Sequence, residues 1–112
     1  MSDRLKTRLW VQALLRRCDI RAVPAMVVRS GDVDAGAVLV KLNRGEAGCE
    51  IFAQTRDRDG NPAWMRALPG GSVPEDAADS YIARAVKIDS DLWVIEIEDR
   101  AGRVPLDEPI VT

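Results

Sequence analysis

The chain has 112 residues, 46% of them hydrophobic and 30% charged, and no histidine. That length and apolar content suit one self-contained domain with its own core and exclude intrinsic disorder. The missing histidine removes the commonest general base, the usual serine and cysteine triads and most zinc and iron sites.

Asp, Arg or Lys interrupts every apolar run before it nears the roughly 18 residues of a membrane span. The stretch from Trp10 to Leu15 runs into Arg16 and Arg17 with no small-residue cleavage site, so no secretory signal is expected. A cytoplasmic domain without a membrane partner follows as the expectation. Cys18 and Cys49 have no metal or redox spacing and read as two buried free thiols. Residues 1–31 carry seven basic and two acidic side chains, residues 72–112 four basic and ten acidic. The split fits either a basic face for an anionic partner or two ends that neutralise each other, and the pI of 5.1 favours the second.

In chain order, the first element is a helix from about Leu5 to Asp19, with Trp10, Val11, Leu14, Leu15 and Cys18 on one face. Leu5 and Leu9 project from the other side, where a subunit contact is conceivable. A short strand over 25–29 and a second over 36–42 read as a hairpin across Ser30-Gly31-Asp32. Strands follow over 49–55 and 62–68, separated by the turn Asp57-Arg58-Asp59-Gly60-Asn61; Pro62 suits a first-residue or edge position. Ser72 with Glu75 matches a capping box opening a helix to about Lys87, buried through Ala78, Tyr81, Ile82, Ala85 and Val86. Residues 92–98 form the clearest strand, Trp93, Ile95 and Ile97 facing one way and Leu92, Val94, Glu96 and Glu98 the other. Pro105 and Pro109 predict an irregular end. The order α-ββββ-α-β predicts an α+β fold: one domain over 1–112, with a mostly antiparallel sheet of about four to five strands and two helices packed on one face.

Three stretches resemble the family of small bacterial proteins known as domain of unknown function fourteen ninety-one. They are Ala13-Leu14-Leu15-Arg16-Arg17-Cys18, Gly31-Asp32 followed by Ala35-Gly36-Ala37, and the run from Asp89 to Arg100, DSDLWVIEIEDR, which is the most specific. The resemblance covers nearly the whole chain. It implies a bacterial, cytoplasmic, self-contained domain with no assigned activity and no established catalytic residues.

The candidate binding residues each have a plain structural reading beside the functional one. Glu96 and Glu98 leave one strand face about 6.5–7 Å apart, a spacing for a shared cation or an acid–base division, or for pairing with a neighbouring Arg or Lys. Asp99, Arg100 and Gly102 are turn chemistry; Arg100 serves an anion only if no carboxylate claims it, and with Glu96, Glu98 and Asp99 so near it is expected to be claimed. Arg16 and Arg17 diverge by about 100° on their helix. Arg17 flanks the buried stripe and is placed to reach an acidic strand residue, ordinary ion pairing being favoured over an anion clamp with Arg29. Trp64 is either core or an exposed contact residue beside Arg66. The Asp57–Asn61 segment lacks the ligand spacing of a calcium loop and reads as a hairpin turn, and no glycine pattern cradles a phosphate. No catalytic residue, metal or cofactor is expected. The reading is a non-enzymatic binding or protein-interaction module; the alternative is an RNA- or nucleotide-binding domain using Arg16, Arg17, Arg29 and Trp64; a metal-assisted hydrolase on Glu96, Glu98 and Asp99 comes last.

Overall fold

The computed structural model describes residues 6–111, so the expected helix start at Leu5 lies outside the described residues. Helix α1 spans Thr7–Ile20 and buries Val11, Leu14 and Cys18. Its first amides have no side-chain cap; instead Thr7 N and Arg8 N donate to the carbonyls of Asp34 and Val33, which satisfies part of the helix's unpaired first turn. Strands β1 (Ala25–Arg29), β2 (Val38–Asn43), β3 (Cys49–Arg56) and β4 (Pro62–Arg66) follow, then helix α2 (Glu75–Ile88), β5 (Trp93–Glu98) and β6 (Ile110–Val111).

These strands form one sheet in the order β1-β5-β2-β3-β4-β6. Three neighbouring pairs are antiparallel, β1 with β5, β2 with β3 and β3 with β4; β2 with β5 and β4 with β6 are parallel. Among the described residues the sheet is therefore six-stranded and mixed, so the expected mostly antiparallel sheet of four to five strands is close but not exact: there is one strand more, and two of the five pairs are parallel. Strands β1 and β2 are no hairpin, because β5 lies between them. The run β4-α2-β5 is a crossover: β4 and β5 point the same way, and α2 carries the chain back over one face.

The helices do not share a face. Val38, Val40 and Leu42 of β2, Phe52, Trp64, Ile95 and Ile97 pack under α1, whereas Leu39, Cys49, Ile51 and Val94 pack under α2. The physical reason is β2 itself, buried at every residue from Val38 to Leu42. Alternate side chains of that strand are apolar on both sides, and a central strand of this kind needs cover on both faces.

Two smaller expectations also shift. Ser72 makes no cap; Val73 pairs with Cys49 as an isolated bridge, so the chain stays extended until Pro74 and α2 opens at Glu75. Glu75 and Asp76 in its first turn suit the positive end of the helix. The tail after β5 is irregular as expected, except that Ile110–Val111 adds the edge strand β6 beside β4. Both thiols are free and buried, one in each core layer.

Candidate functional site

At the end of the sheet where β2 begins and β3 finishes, a half-open groove of about 770 Å³ lies between the start of α1, the loop before β2 and the chain near Glu108. Its floor is the half-buried Trp10 ring, backed by Trp64. The Trp10 and Trp64 rings sit 5.6 Å apart at 34°, and Trp64, only 1% exposed, donates from Nε1 to Glu108 Oε1 at 3.0 Å. Pairing of β4 with β6 and the Trp64 N–H bond to the Pro109 carbonyl bring Glu108 to this place.

The rim is polar. Gln54 Oε1 accepts from Val38 N at 3.0 Å, so the side chain stands beside the first residue of β2, and Thr55 and Arg56 follow it along β3. Arg56 Nη1 donates to the Gly60 carbonyl and braces the β3–β4 hairpin turn. Asp57 Oδ1 accepts from the amides of Asp59 and Asn61, which makes that segment the hairpin turn expected of it. Among the described residues, Glu108 is the one carboxylate lining the groove, and no thiol or amine lines it. The lining suits recognition by packing and hydrogen bonding.

The residues singled out from sequence are scattered. Arg16 is exposed on α1. Arg17 reaches neither Arg29 nor an acidic strand residue: its Nε donates to the Pro105 carbonyl at 3.0 Å, its Nη1 lies 3.4 Å from Asp107, and its Nη2 is buried without a partner. Arg29 donates to the Leu92 carbonyl at 2.6 Å and fastens the β1–β5 edge. Glu96 accepts from Asn43 and pairs with Lys41, while Glu98 is exposed at the same strand face. Asp99 forms a two-pronged pair with Arg103, and the Arg103 hydrogen bond holds its carboxyl below the ordinary value. Trp64, alone of the set, borders the groove. Among the described residues no group of three or more His, Cys, Asp or Glu is arranged to hold a metal ion.

Arg17 therefore staples the C-terminal segment onto α1, joining the basic and acidic ends of the chain at one point. Arg17→Ala is expected to cost about 1–2 kcal/mol, the worth of a charged hydrogen bond and its partly screened pair. Hydrogen exchange should show faster exchange over 104–108 than in the unaltered chain. Unchanged protection of the Leu106 amide would count against the staple.

Lys41 is the residue the sequence reading missed. It is 4% exposed on β2, and its Nζ lies 2.8 Å from Glu75, 2.8 Å from Asp79 and 3.4 Å from Glu96. Burial pulls the ammonium down, but the hydrogen bonds to Asp79 and Glu75 and the charge of Glu96 outweigh it and raise it above its ordinary value. This network ties α2 to the sheet. Cys49 and Cys18 are pushed up by burial, against the lowering by Lys41 and by Arg17 and Arg21 respectively, so neither is primed as a nucleophile.

Comparison with known proteins adds a family to this geometry. The family model described as "Protein of unknown function (DUF1491)" matches residues 5–107. The chain belongs to the DUF1491 family. A crystal structure of a DUF1491 family protein from Caulobacter crescentus CB15 is 42% identical, with a TM-score of 0.84 over 96% of this chain and 98% of that one. An NMR structure of a DUF1491 family protein from the same organism is 43% identical, with a TM-score of 0.82 over 96% and 97%. Protein Atu0922 from A. tumefaciens, solved in solution, shares the fold at 24% identity, TM-score 0.74, over 94% and 96%. No curated protein matches the chain. Among the described residues of this DUF1491 protein, no helix is long and apolar enough to cross a membrane.

Proposed function

We propose that this DUF1491 chain is a non-enzymatic binding module of the bacterial cytoplasm, receiving a protruding apolar segment of a protein partner in the groove over the half-buried Trp10, whose ring is backed by Trp64. One observation carries the reading: a concavity of about 770 Å³ with an aromatic floor and a rim of Gln54, Thr55 and Glu108. Aromatic anchors set in a polar rim are the recurrent composition of protein contact sites. The nucleic-acid alternative has less support. Trp64 is buried and offers no stacking face, and Arg17 and Arg29 spend hydrogen bonds on backbone carbonyls.

A photo-crosslinking residue at Thr55, compared with one at exposed Ala83 on α2, tests the reading in native bacterial lysate. The expected result is a single protein adduct from position 55 that disappears in Ala35→Trp, which fills the groove from an exposed lining position. The same adduct from both positions, its persistence in Ala35→Trp, or no adduct at all would overturn it.

A further inference from the structure

The parallel strands β2 and β5 end side by side, and the segments that follow them, 44–48 and 99–103, lie against each other through the Asp99 N–H bond to the Asn43 carbonyl. Each segment carries an arginine over the other's glycine. A Cβ added to Gly102 would sit 3.0 Å from the Arg44 Cζ, and one added to Gly45 would sit 3.5 Å from the Arg100 Nε. Arg66 of β4 completes the group, lying 5.5 Å above the Phe52 ring. Its Nε is 3.0 Å from Glu50 Oε1, and Arg44 Nη1 is 3.6 Å from Glu50 Oε2. Arg44 and Arg66 thus share the Glu50 carboxylate, and Arg100 lies beside Gly45, the residue after Arg44.

Of the nearby acids, two are committed elsewhere, and Glu46 and Glu98 are exposed, where solvent screens them. Glu96 serves Lys41 and Asn43, and Asp99 serves Arg103. Among the described residues Arg100 has no carboxylate within ion-pair distance, the condition under which it is free for an anion, and the buried Arg44 Nε has no hydrogen-bond partner. The geometry points to a small-oxyanion site between these two segments, taking a phosphate monoester or free phosphate on Arg44, Arg66 and Arg100. Arginine forks bind the oxygens of a phosphate monoester, whose charge is about −1.5 to −2 at pH 7, in pairs. A compact anion fits better than a nucleic acid. Glu75, Asp79 and Glu96 cluster on the α2 face near Asn43, at the same end of β2, and would repel an extended polyanion. The site lies beyond the end of β2 opposite to the groove and stands independently of the groove's occupant.

The test follows the arginine Nε–H resonances of the whole chain while inorganic phosphate replaces chloride at constant ionic strength. Saturable shifts at Arg44, Arg66 and Arg100 are expected. Exposed Arg100→Gln should weaken phosphate binding at least 10-fold, as should Arg44→Gln, whereas Arg16→Gln on the outside of α1 should change nothing. Glu50→Gln, which removes the internal competitor, should tighten binding, an effect that a purely structural cluster would not show. A response linear in phosphate, equal behaviour of Arg100→Gln and Arg16→Gln, or binding of a single-stranded oligonucleotide without binding of phosphate would overturn the site.

Discussion

Gly31→Ala is expected to destabilise the protein by about 3 kcal/mol or more, a cost at the upper end of overpacking substitutions. A Cβ there would lie 2.0 Å from the Asp91 carbonyl oxygen and 2.7 Å from the Leu92 carbonyl carbon, and both are backbone atoms that no rotamer change can move aside. Relief requires the loop after β1 to lift. Lifting it would break the Asp32 N–H bond to Asp91 O and the Trp93 Nε1 bond to Asp32 O, at 3.0 and 2.7 Å. Urea unfolding checks this against Gly60→Ala, where a Cβ meets nothing within 4 Å and the only cost is the left-handed backbone at φ +83°. The Gly31 variant should have the lower midpoint. A midpoint equal to or above that of the Gly60 variant would mean that the close approach to β5 costs nothing.

The same approach of loop to strand explains what the sequence reading got wrong. Turn chemistry at Ser30-Gly31-Asp32 is a sound reason to end β1 there, and β1 does end at Arg29. It says nothing about partners. The glycine serves a strand 60 residues further on, β5, which enters between β1 and β2. A better signal lay in Val38-Leu39-Val40-Lys41-Leu42, where no alternation of apolar and polar residues exists. An antiparallel sheet with one wet face alternates, so this run already argued for a covered central strand and for helices on opposite sides. By contrast α1, α2 and β5 were legible to within one or two residues at most ends, because their buried faces repeat at helical or strand period. Two-residue β6 has no period to read.

The sites were less legible because they depend on pairings across long separations. Arg17 was correctly placed beside the buried stripe of α1, but its partners are 88 and 90 positions away in an irregular tail. The groove unites Thr7, Gln54, Thr55 and Glu108, four residues with no motif between them. Arg100 was expected to be claimed by its acidic neighbours; alternation along β5 sends Glu96 to Lys41, and the turn gives Asp99 to Arg103. Lys41, though missed, did carry a local signal. A single cation inside an apolar strand must find carboxylates or fail to fold.

Lys41→Met should accordingly cost about 2–3 kcal/mol, with a fall in Tm of roughly 10 °C. Methionine replaces the aliphatic stem, so the loss is the charge, which leaves Glu96 at 15% side-chain exposure with Asn43 as its remaining partner. Glu75 and Asp79, each more than half exposed, recover much of their hydration, which keeps the cost below that of a fully buried pair. The double variant with Glu96→Gln should regain part of the loss, since the stranded charge goes with it. The pH dependence has a definite sign. The folded chain holds the Lys41 proton more tightly than the unfolded chain, where the ordinary value is 10.5. The stabilisation is complete below pH 10.5 and fades only as pH climbs from there through the raised folded value. Tm measured from pH 7 to 11.5 should show a constant gap between the two proteins up to about pH 10, narrowing above it; a gap that widens with alkali, or no gap at pH 7, would show that the ammonium does not hold α2 to the sheet.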